Sequence, residues 1–269
     1  MAILVARDKH VMNLNVEEIL RGIPTPSSLP VPNSEVNDLL NREILNYASY
    51  FGKPYGFDKE QGGALVQDLF PIRKNETEQI SSSSKVELEM HTETAFHPKA
   101  PRFVVLFCLR GDPAAGTTIC DLSQVIGELN QDEIQILSKR SFMTSVDKSF
   151  LDEGEEDKEV RRQVINKRGT KMKYDRTAMR GTTPEAQKAL DKFTTLIQKN
   201  KSTIYLETGE ILIIDNWTTA HGRTQFTSRY DGTDRWIKRV MVSNEKPFGR
   251  IIWYPNEWYY LFPWLSSDG

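Results

Sequence analysis

The sequence predicts a mostly β chain with helical insertions, an α+β protein built on a double-sheet jelly-roll core. Three observations support this. Eight short runs rich in branched and aromatic residues, 86–91, 102–110, 117–122, 141–146, 170–175, 202–206, 210–215 and 235–243, read as strands. The helical patterns are inserted among these strands and do not alternate with every one, as a sheet of many short strands allows. The length of 269 residues is one at which β barrels and sandwiches with added helices still form a single unit. One domain over 1–269 is expected, with residues 147–185 as a lid-like insertion.

Taken in order, residues 1–33 carry Pro24, Pro26, Pro30 and Pro32 and read as an extended prelude, since proline excludes a long helix. Ser34 is a good N-cap. Val36, Leu39, Leu40, Ile44, Leu45 and Tyr47 then recur at helical spacing to about Tyr50, where Gly52 and Pro54 close the helix. Residues 65–71 read as a strand, and 75–85, with four consecutive serines, as a mobile polar loop. Residues 123–139 read as helical, and Thr183-Pro184 opens a helix with Ala186, Leu190, Phe193 and Ile197 on one face. The charged stretch 152–168 reads as a solvated helix or flap.

Composition excludes several classes of partner. A net charge of -2 leaves no basic excess for nucleic acid or an anionic membrane surface. No apolar run approaches the length of a membrane span, and the first residues are too short for a signal-peptide core, so a cytoplasmic protein is expected. Cys108 and Cys120 are the only cysteines and read as buried reduced thiols. Nothing in the sequence sets an oligomeric state.

The chemistry-bearing residues begin with His91-Thr92-Glu93. On a strand, His91 and Glu93 leave the same face while Thr92 points away, so two groups can grip one ion. A second histidine from a distant strand, His221, would complete a facial set of two imidazoles and one carboxylate, with the opposite face of an octahedral metal left open. The chain has only four histidines, and these two stand in strand-like settings. Further along, Arg235, Ile237 and Arg239 alternate with Trp236, Lys238 and Val240, which places both arginines on one strand face, roughly 13 Å apart at about 3.3 Å per residue. A buried arginine needs an anion, and its planar fork matches a carboxylate in two hydrogen bonds.

The segments HTETAFHP (91–98), GEILIIDNWTTAHGRTQF (209–226) and YDGTDRWIKRVMVS (230–243) resemble the clavaminate synthase-like branch of the Fe(II)/2-oxoglutarate-dependent dioxygenases, related to the taurine dioxygenases and close to the free amino-acid hydroxylases. The resemblance runs from about Phe51 to about Ser243. It implies a double-stranded β-helix, a cupin-like jelly roll with the metal in its mouth. It also implies Fe(II) on His91, Glu93 and His221, and 2-oxoglutarate as cosubstrate, its far carboxylate on Arg235 helped by Thr118. O2 would be the oxidant, with succinate and CO2 released. Halogenating relatives carry a small residue in place of Glu93, so hydroxylation is the expected outcome, with desaturation or ring closure as alternatives.

For the substrate, the resemblance implies a free L-amino acid, with Arg239 meeting its carboxylate and Gln61 its backbone groups. Asp175 is the candidate for a cationic side chain, which makes lysine, arginine or ornithine the leading substrates. A turnover-free jelly-roll binding protein and an oxygenase of protein side chains are the other readings. His97, before Pro98, reads as a structural loop histidine, and His10 as an exposed terminal one. Asp215-Asn216 read as a turn or as support for a ligand. The aromatic tail, Trp253, Trp258, Tyr259, Tyr260 and Trp264, reads as packing against the barrel.

Overall fold

The computed structural model describes residues 3–6, 14–147, 150–151, 157–243, 250–254 and 257–262. In chain order its elements are β1 (Ile3–Ala6), α1 (Val16–Ile19), α2 (Glu35–Ser49), β2 (Lys53–Phe57), β3 (Val66–Leu69), β4 (Leu88–His91), β5 (Phe103–Arg110), β6 (Thr117–Asp121), α3 (Ser123–Ile126), α4 (Gln131–Leu137), β7 (Phe142–Ser145), β8 (Glu159–Arg162), β9 (Met179–Gly181), α5 (Pro184–Asn200), β10 (Ser202–Ile204), β11 (Ile211–Asp215), β12 (Thr219–Arg223), β13 (Trp236–Ser243), β14 (Arg250–Tyr254) and β15 (Glu257–Phe262). The chain is therefore mostly β-sheet with a few helices. The larger sheet runs β1-β11-β5-β13-β2-β15-β14, with β3 also beside β13; a smaller one runs β10-β6-β12-β4, and a third β8-β7-β9. Strand β13 is the hub of the larger sheet, with β5 along one edge and β3 followed by β2 along the other.

The period-2 alternation of the strands assigns each face a different packing partner. Val105, Phe107, Ile211 and Ile213 of β5 and β11 pack with Leu40, Ile44 and Leu45 of α2, while Val104, Leu106, Leu212 and Ile214 turn to the opposite face with Leu69 and Ile237. In the smaller sheet, Met90, Cys120 and Ala220 pack with Val125 of α3 and with Leu190 and Phe193 of α5. Helix α2 forms where the apolar spacing predicts. The Ser34 hydroxyl caps it, accepting from the Asn37 N–H at 3.1 Å. Each fully buried Leu or Ile on its inner face contributes about 1.5–3 kcal/mol. Thr183 caps α5 in the same way, its hydroxyl accepting from the Ala186 N–H at 3.2 Å. Pro184 takes the first turn of that helix, where no N–H is needed.

Several expectations are revised. The helix expected over 123–139 is two, α3 and α4, because the chain restarts at Asn130, which forms a capping box with Glu133. Residues 170–175 form no ladder strand and make only single bridges, Met172 to Ile165 and Asp175 to His91. Instead of a solvated helix, the charged stretch contributes β8, paired antiparallel with β7. The prelude holds β1, paired with β11, and the short α1. The serine loop, expected to be mobile, is cross-tied: Arg223 donates to the carbonyls of Ser81, Ser83 and Val86. Cys108 and Cys120 are buried free thiols. The aromatic side chains of the tail and His10 lie outside the described residues, although the tail backbone forms β14 and β15, the latter parallel to β2. Among the described residues no helix is long and apolar enough to cross a membrane.

On the face of β13 turned to α2, Lys238 is fully buried and donates to Asp68 Oδ1 at 2.8 Å and to Asn37 Oδ1 at 2.7 Å. The same Asp68 oxygen accepts from the Trp236 indole at 2.7 Å, so one carboxylate joins β3, β13 and α2. Burial pulls the Lys238 ammonium below its ordinary range, and Asp68 opposes that. Asp68→Ala leaves a buried charge unpaired and is expected to cost about 3–5 kcal/mol in urea unfolding at neutral pH. The loss should shrink as pH rises and the ammonium is neutralised. An Asp68→Ala protein as stable as the wild type would show that the pair does not hold the sheet to the helix.

Candidate active site

Strands β4 and β12 pair antiparallel with His91 opposite His221, so both imidazoles leave one face of the smaller sheet. Their ring centroids are 4.6 Å apart. Glu93 lies beyond β4, in a turn, which corrects the expectation that a continuous strand carries it. Its carboxylate nevertheless comes back to the pair, with Oε2 3.7 Å from His221 Nε2, and one atom from each of His91, Glu93 and His221 lies within 4.8 Å of the others. Thr92 points the opposite way, its N–H donating to Tyr174 O at 2.7 Å and its hydroxyl accepting from Tyr174 N–H at 3.0 Å.

The protonation states suit a cation. His91 Nδ1 is 2.8 Å from Glu89 O. Because a carbonyl only accepts, Nδ1 donates and Nε2 is left free to ligate. Burial, with His91 nearby, holds the His221 imidazole below its ordinary pKa, so it stays neutral. Burial alone would raise the Glu93 carboxyl, but Arg239, His221 and His91 outweigh it and hold it well below the usual range. His221 Nδ1 is buried and has no hydrogen-bond partner among the described residues. A facial pair of imidazoles and one ionised carboxylate is a donor set that fits a first-row divalent metal at ligand bonds of roughly 2 Å.

This cluster lines a cavity of about 570 Å³ whose walls come from both sheets and from Asp147, Asp157, Asp175, Thr177 and Ala178, between β7 and β9. The volume is in the range small-molecule sites occupy. Arg235 and Arg239 both face it, as the alternation along β13 predicts. They differ in partners. Arg235 is 7% exposed, and among the described residues its guanidinium makes no hydrogen bond or ion pair; burial lowers its pKa against the pull of Cys108 and Asp112. Arg239 is engaged on three sides, donating to Glu93 Oε2 at 2.7 Å, to Gln67 Oε1 at 2.8 Å and to Glu60 Oε1 at 3.4 Å.

Two of the residues chosen from sequence are displaced. Thr118 turns away from the cavity, its hydroxyl donating to Met90 Sδ at 3.3 Å; Thr117, the next residue back, lines it. The reason is register: His221 pairs with Ile119, so the odd-numbered residues of β6 share the histidine's face. Gln61 lies at the cavity edge, but its amide is used internally, accepting from Asp68 N and donating to Asp68 O, both at 3.2 Å. The buried amide beside Arg239 is Gln67. Asp175 lines the cavity and also caps a turn, its Oδ1 accepting from the N–H groups of Thr177 and Ala178 at 2.9 Å. His97 is buried against Phe57 with centroids 4.8 Å apart, and burial, with Lys173 and Arg162, pushes its pKa down to about 4.

Sequence reasoning missed Glu60, Gln67, Asp147 and Asp157, all on the cavity wall. For Gln67 there was a signal, since Gln-Asp inside the run Leu65 to Leu69 puts two polar groups in a buried strand, where each needs a partner. Asp147 reaches solvent at the rim, but desolvation by the surrounding wall, then the charges of Asp175, Glu93 and Glu60, pushes its carboxyl up to about 6.

Residues 32–241 match the sequence profile of the taurine catabolism dioxygenase TauD, TfdA family. An L-asparagine oxygenase of Streptomyces coelicolor is 35% identical over 233 residues, spanning 83% of this chain and 70% of that protein. An L-lysine 3-hydroxylase of Catenulispora acidiphila is 32% identical over 260 residues, spanning 87% of this chain and 71% of that protein. Among solved structures, asparagine oxygenase in complex with Fe(II), 2S,3S-3-hydroxyasparagine and succinate superposes with a TM-score of 0.74 at 33% identity, over 82% of this chain and 69% of that one. The non-heme iron oxygenase OrfP in complex with Fe, succinate and (3S)-hydroxy-L-Arg gives 0.74 at 28% identity, over 82% and 72%.

Without metal, Arg239 is the main cation holding Glu93 and Glu60 together in the cavity wall. Arg239→Ala is expected to destabilise the metal-free protein by about 3–5 kcal/mol, as removal of one partner from a buried pair does. Urea unfolding in the presence of a chelator measures this. An unchanged midpoint would mean that Glu93 and Glu60 are solvated in the free protein.

Proposed function

The chain belongs to the taurine catabolism dioxygenase TauD, TfdA family, and we propose that it is an Fe(II)/2-oxoglutarate-dependent oxygenase that hydroxylates an unactivated C–H bond of a free, basic L-amino acid. The observation that carries this is the buried guanidinium of Arg235, without a partner among the described residues, sharing one cavity with the His91, Glu93 and His221 cluster. A desolvated cation beside a donor set that holds a divalent metal calls for a small dianion that can bridge the arginine and the metal, as 2-oxoglutarate does. On this reading the two sheets form a jelly roll with the cluster in its mouth, and the 147–185 insertion covers it.

The residues divide the work. His91, Glu93 and His221 hold the iron, and Arg235, with the Thr117 hydroxyl, holds the far carboxylate of 2-oxoglutarate. Together iron, 2-oxoglutarate and O2 supply the oxidant, with release of succinate and CO2. Arg239 takes the substrate's α-carboxylate on the N–H edge that is released when Glu93 turns to the iron, and Glu60 beside it offers an acceptor to the α-ammonium. Asp147, Asp157 and Asp175 on the insertion supply negative charge to a lysine, arginine or ornithine side chain. Desolvation first, then the charges of Asp175, Glu93 and Glu60, make Asp147 resist ionisation, and a bound ammonium or guanidinium offsets the charge part. The enclosing walls fix the target carbon and exclude water.

The test is succinate release by the whole protein with Fe(II), 2-oxoglutarate and a panel of free L-amino acids, with mass spectrometry of the products. Lysine, arginine or ornithine is expected to gain one oxygen with one succinate formed, and the corresponding esters to react poorly. Oxidation of peptides only, or equal turnover of esters and free acids, would overturn the free amino-acid reading. Arg235→Ala is expected to raise the 2-oxoglutarate requirement by two orders of magnitude or more, from a cost of about 3–5 kcal/mol, while Arg235→Lys restores part of it. An unchanged requirement would move the anchor elsewhere.

The acids give a pH signature. A carboxyl with its pKa pushed up to about 6 is neutral below that pH and offers a basic side chain its full charge only above it. The KM for the basic substrate is therefore expected to fall between pH 5 and 7, and Asp147→Asn to remove most of that fall while leaving the 2-oxoglutarate KM unchanged. Identical pH profiles for the two proteins would take Asp147 out of substrate binding.

A further inference from the structure

Glu93 stands past the end of β4, so no strand ladder holds its backbone. Its N–H and C=O instead meet the side-chain amide of Asn216. The Glu93 N–H donates to Asn216 Oδ1 at 2.6 Å, and Asn216 Nδ2 donates to Glu93 O at 3.2 Å and to Pro101 O at 3.0 Å. Asn216 is 1% exposed, in the turn between β11 and β12. That turn is itself fixed: the Asn216 N–H donates to Arg102 O at 2.9 Å, and Arg102 returns a bidentate pair to Asp215 at 3.0 and 2.7 Å. The turn that grips Glu93 also leads directly into β12, the strand that presents His221.

The residue after Glu93 shows that the backbone here is constrained. Thr94 has a φ of 49°, in the left-handed region. A β-branched residue adopts that conformation only when its surroundings impose it. Within hydrogen-bond reach of both Glu93 groups, a primary amide offers donor and acceptor side by side, as a neighbouring strand would. An ionised Asp offers acceptors only, and Ser is too short to reach both.

We infer that Asn216 is a positioning residue of the metal centre, setting the direction of the Glu93 carboxylate relative to His221 through the Glu93 backbone. This rests on the reading of Glu93 as a metal ligand. The experiment compares wild type, Asn216→Asp, Asn216→Ser and Glu93→Ala with Leu190→Ala, a substitution in the α5 core that lowers stability without touching the site. Two readouts are used: the dissociation constant for Fe(II), measured anaerobically well below every unfolding midpoint, and the visible absorption of the Co(II)-loaded proteins, which reports ligand geometry.

Both Asn216 variants are expected to bind Fe(II) roughly 10–100-fold more weakly, the range usual for groups that orient metal ligands, and to show altered Co(II) bands. Leu190→Ala should match the wild type on both. Wild-type affinity and an unchanged Co(II) spectrum in either folded Asn216 variant would overturn the inference, as would equal weakening in Leu190→Ala. If Glu93→Ala itself binds iron as the wild type does, the functional reading fails instead.

Discussion

The pairing of β12 with β4 is the constraint on which the site depends, because it is what brings two histidines from distant parts of the chain to face each other. It requires close approach. A Cβ on Gly222, the residue after His221, would lie 2.3 Å from Leu88 O and 2.9 Å from Thr118 Oγ1, so any side chain there would force the strands apart. The same pairing sorts the neighbouring residues: what shares the histidines' face enters the cavity, and what alternates with it, Met90, Cys120 and Ala220, packs on the α5 layer. One ladder thus fixes both the metal-facing surface and the core behind it.

Strand β13 does the equivalent for the larger sheet. Its inner face carries Arg239 into the cavity, with Arg235 entering from just before its first residue, while its outer face carries Lys238 to Asp68 and Asn37. Asp68 and Gln67 are neighbours on β3, so the buried ion pair outside and the Gln67 contact to Arg239 inside lock the same two strands from opposite sides. Electrostatically the two arginines are in different situations. Arg239 is neutralised by Glu93 and Glu60 before any ligand arrives, whereas Arg235 has no such partner among the described residues, and the unmet charge marks the end of the cavity that needs an anion.

What was legible in the sequence is what periodicity controls. The strand setting of His91 and His221 and the two-residue steps from Arg235 to Arg239 survive into three dimensions because each depends on one segment's own repeat, whereas Glu93 reaches the same cluster from a turn. What failed depends on how segments meet. Choosing Thr118 over Thr117 is a one-residue question of register, invisible without the β12 partner. Gln61 is exposed and its amide is tied to the Asp68 backbone, whereas Gln67 is buried and meets Glu60 and Arg239, a difference set by tertiary packing. The long helix over 123–139 broke because the capping signal at Asn130 outweighed a continuous apolar pattern. Glu93 was placed on a strand because nothing in its own segment announces that Asn216, far along the chain, takes over its backbone hydrogen bonds.

The site divides between rigid and exchangeable parts of the chain. The metal-facing groups and both arginines stand on or beside ladders whose geometry cannot shift without breaking many hydrogen bonds, which suits chemistry that tolerates little misplacement. Asp147, Asp157 and Asp175 come instead from the connections between β7 and β9, where Asp175 is held by a turn and a single bridge to His91. Substitutions there change the charge of the far end of the cavity without disturbing the pairing that faces His91 to His221. On the proposed function, selectivity for the side chain of a substrate is therefore free to vary on a frame that is not.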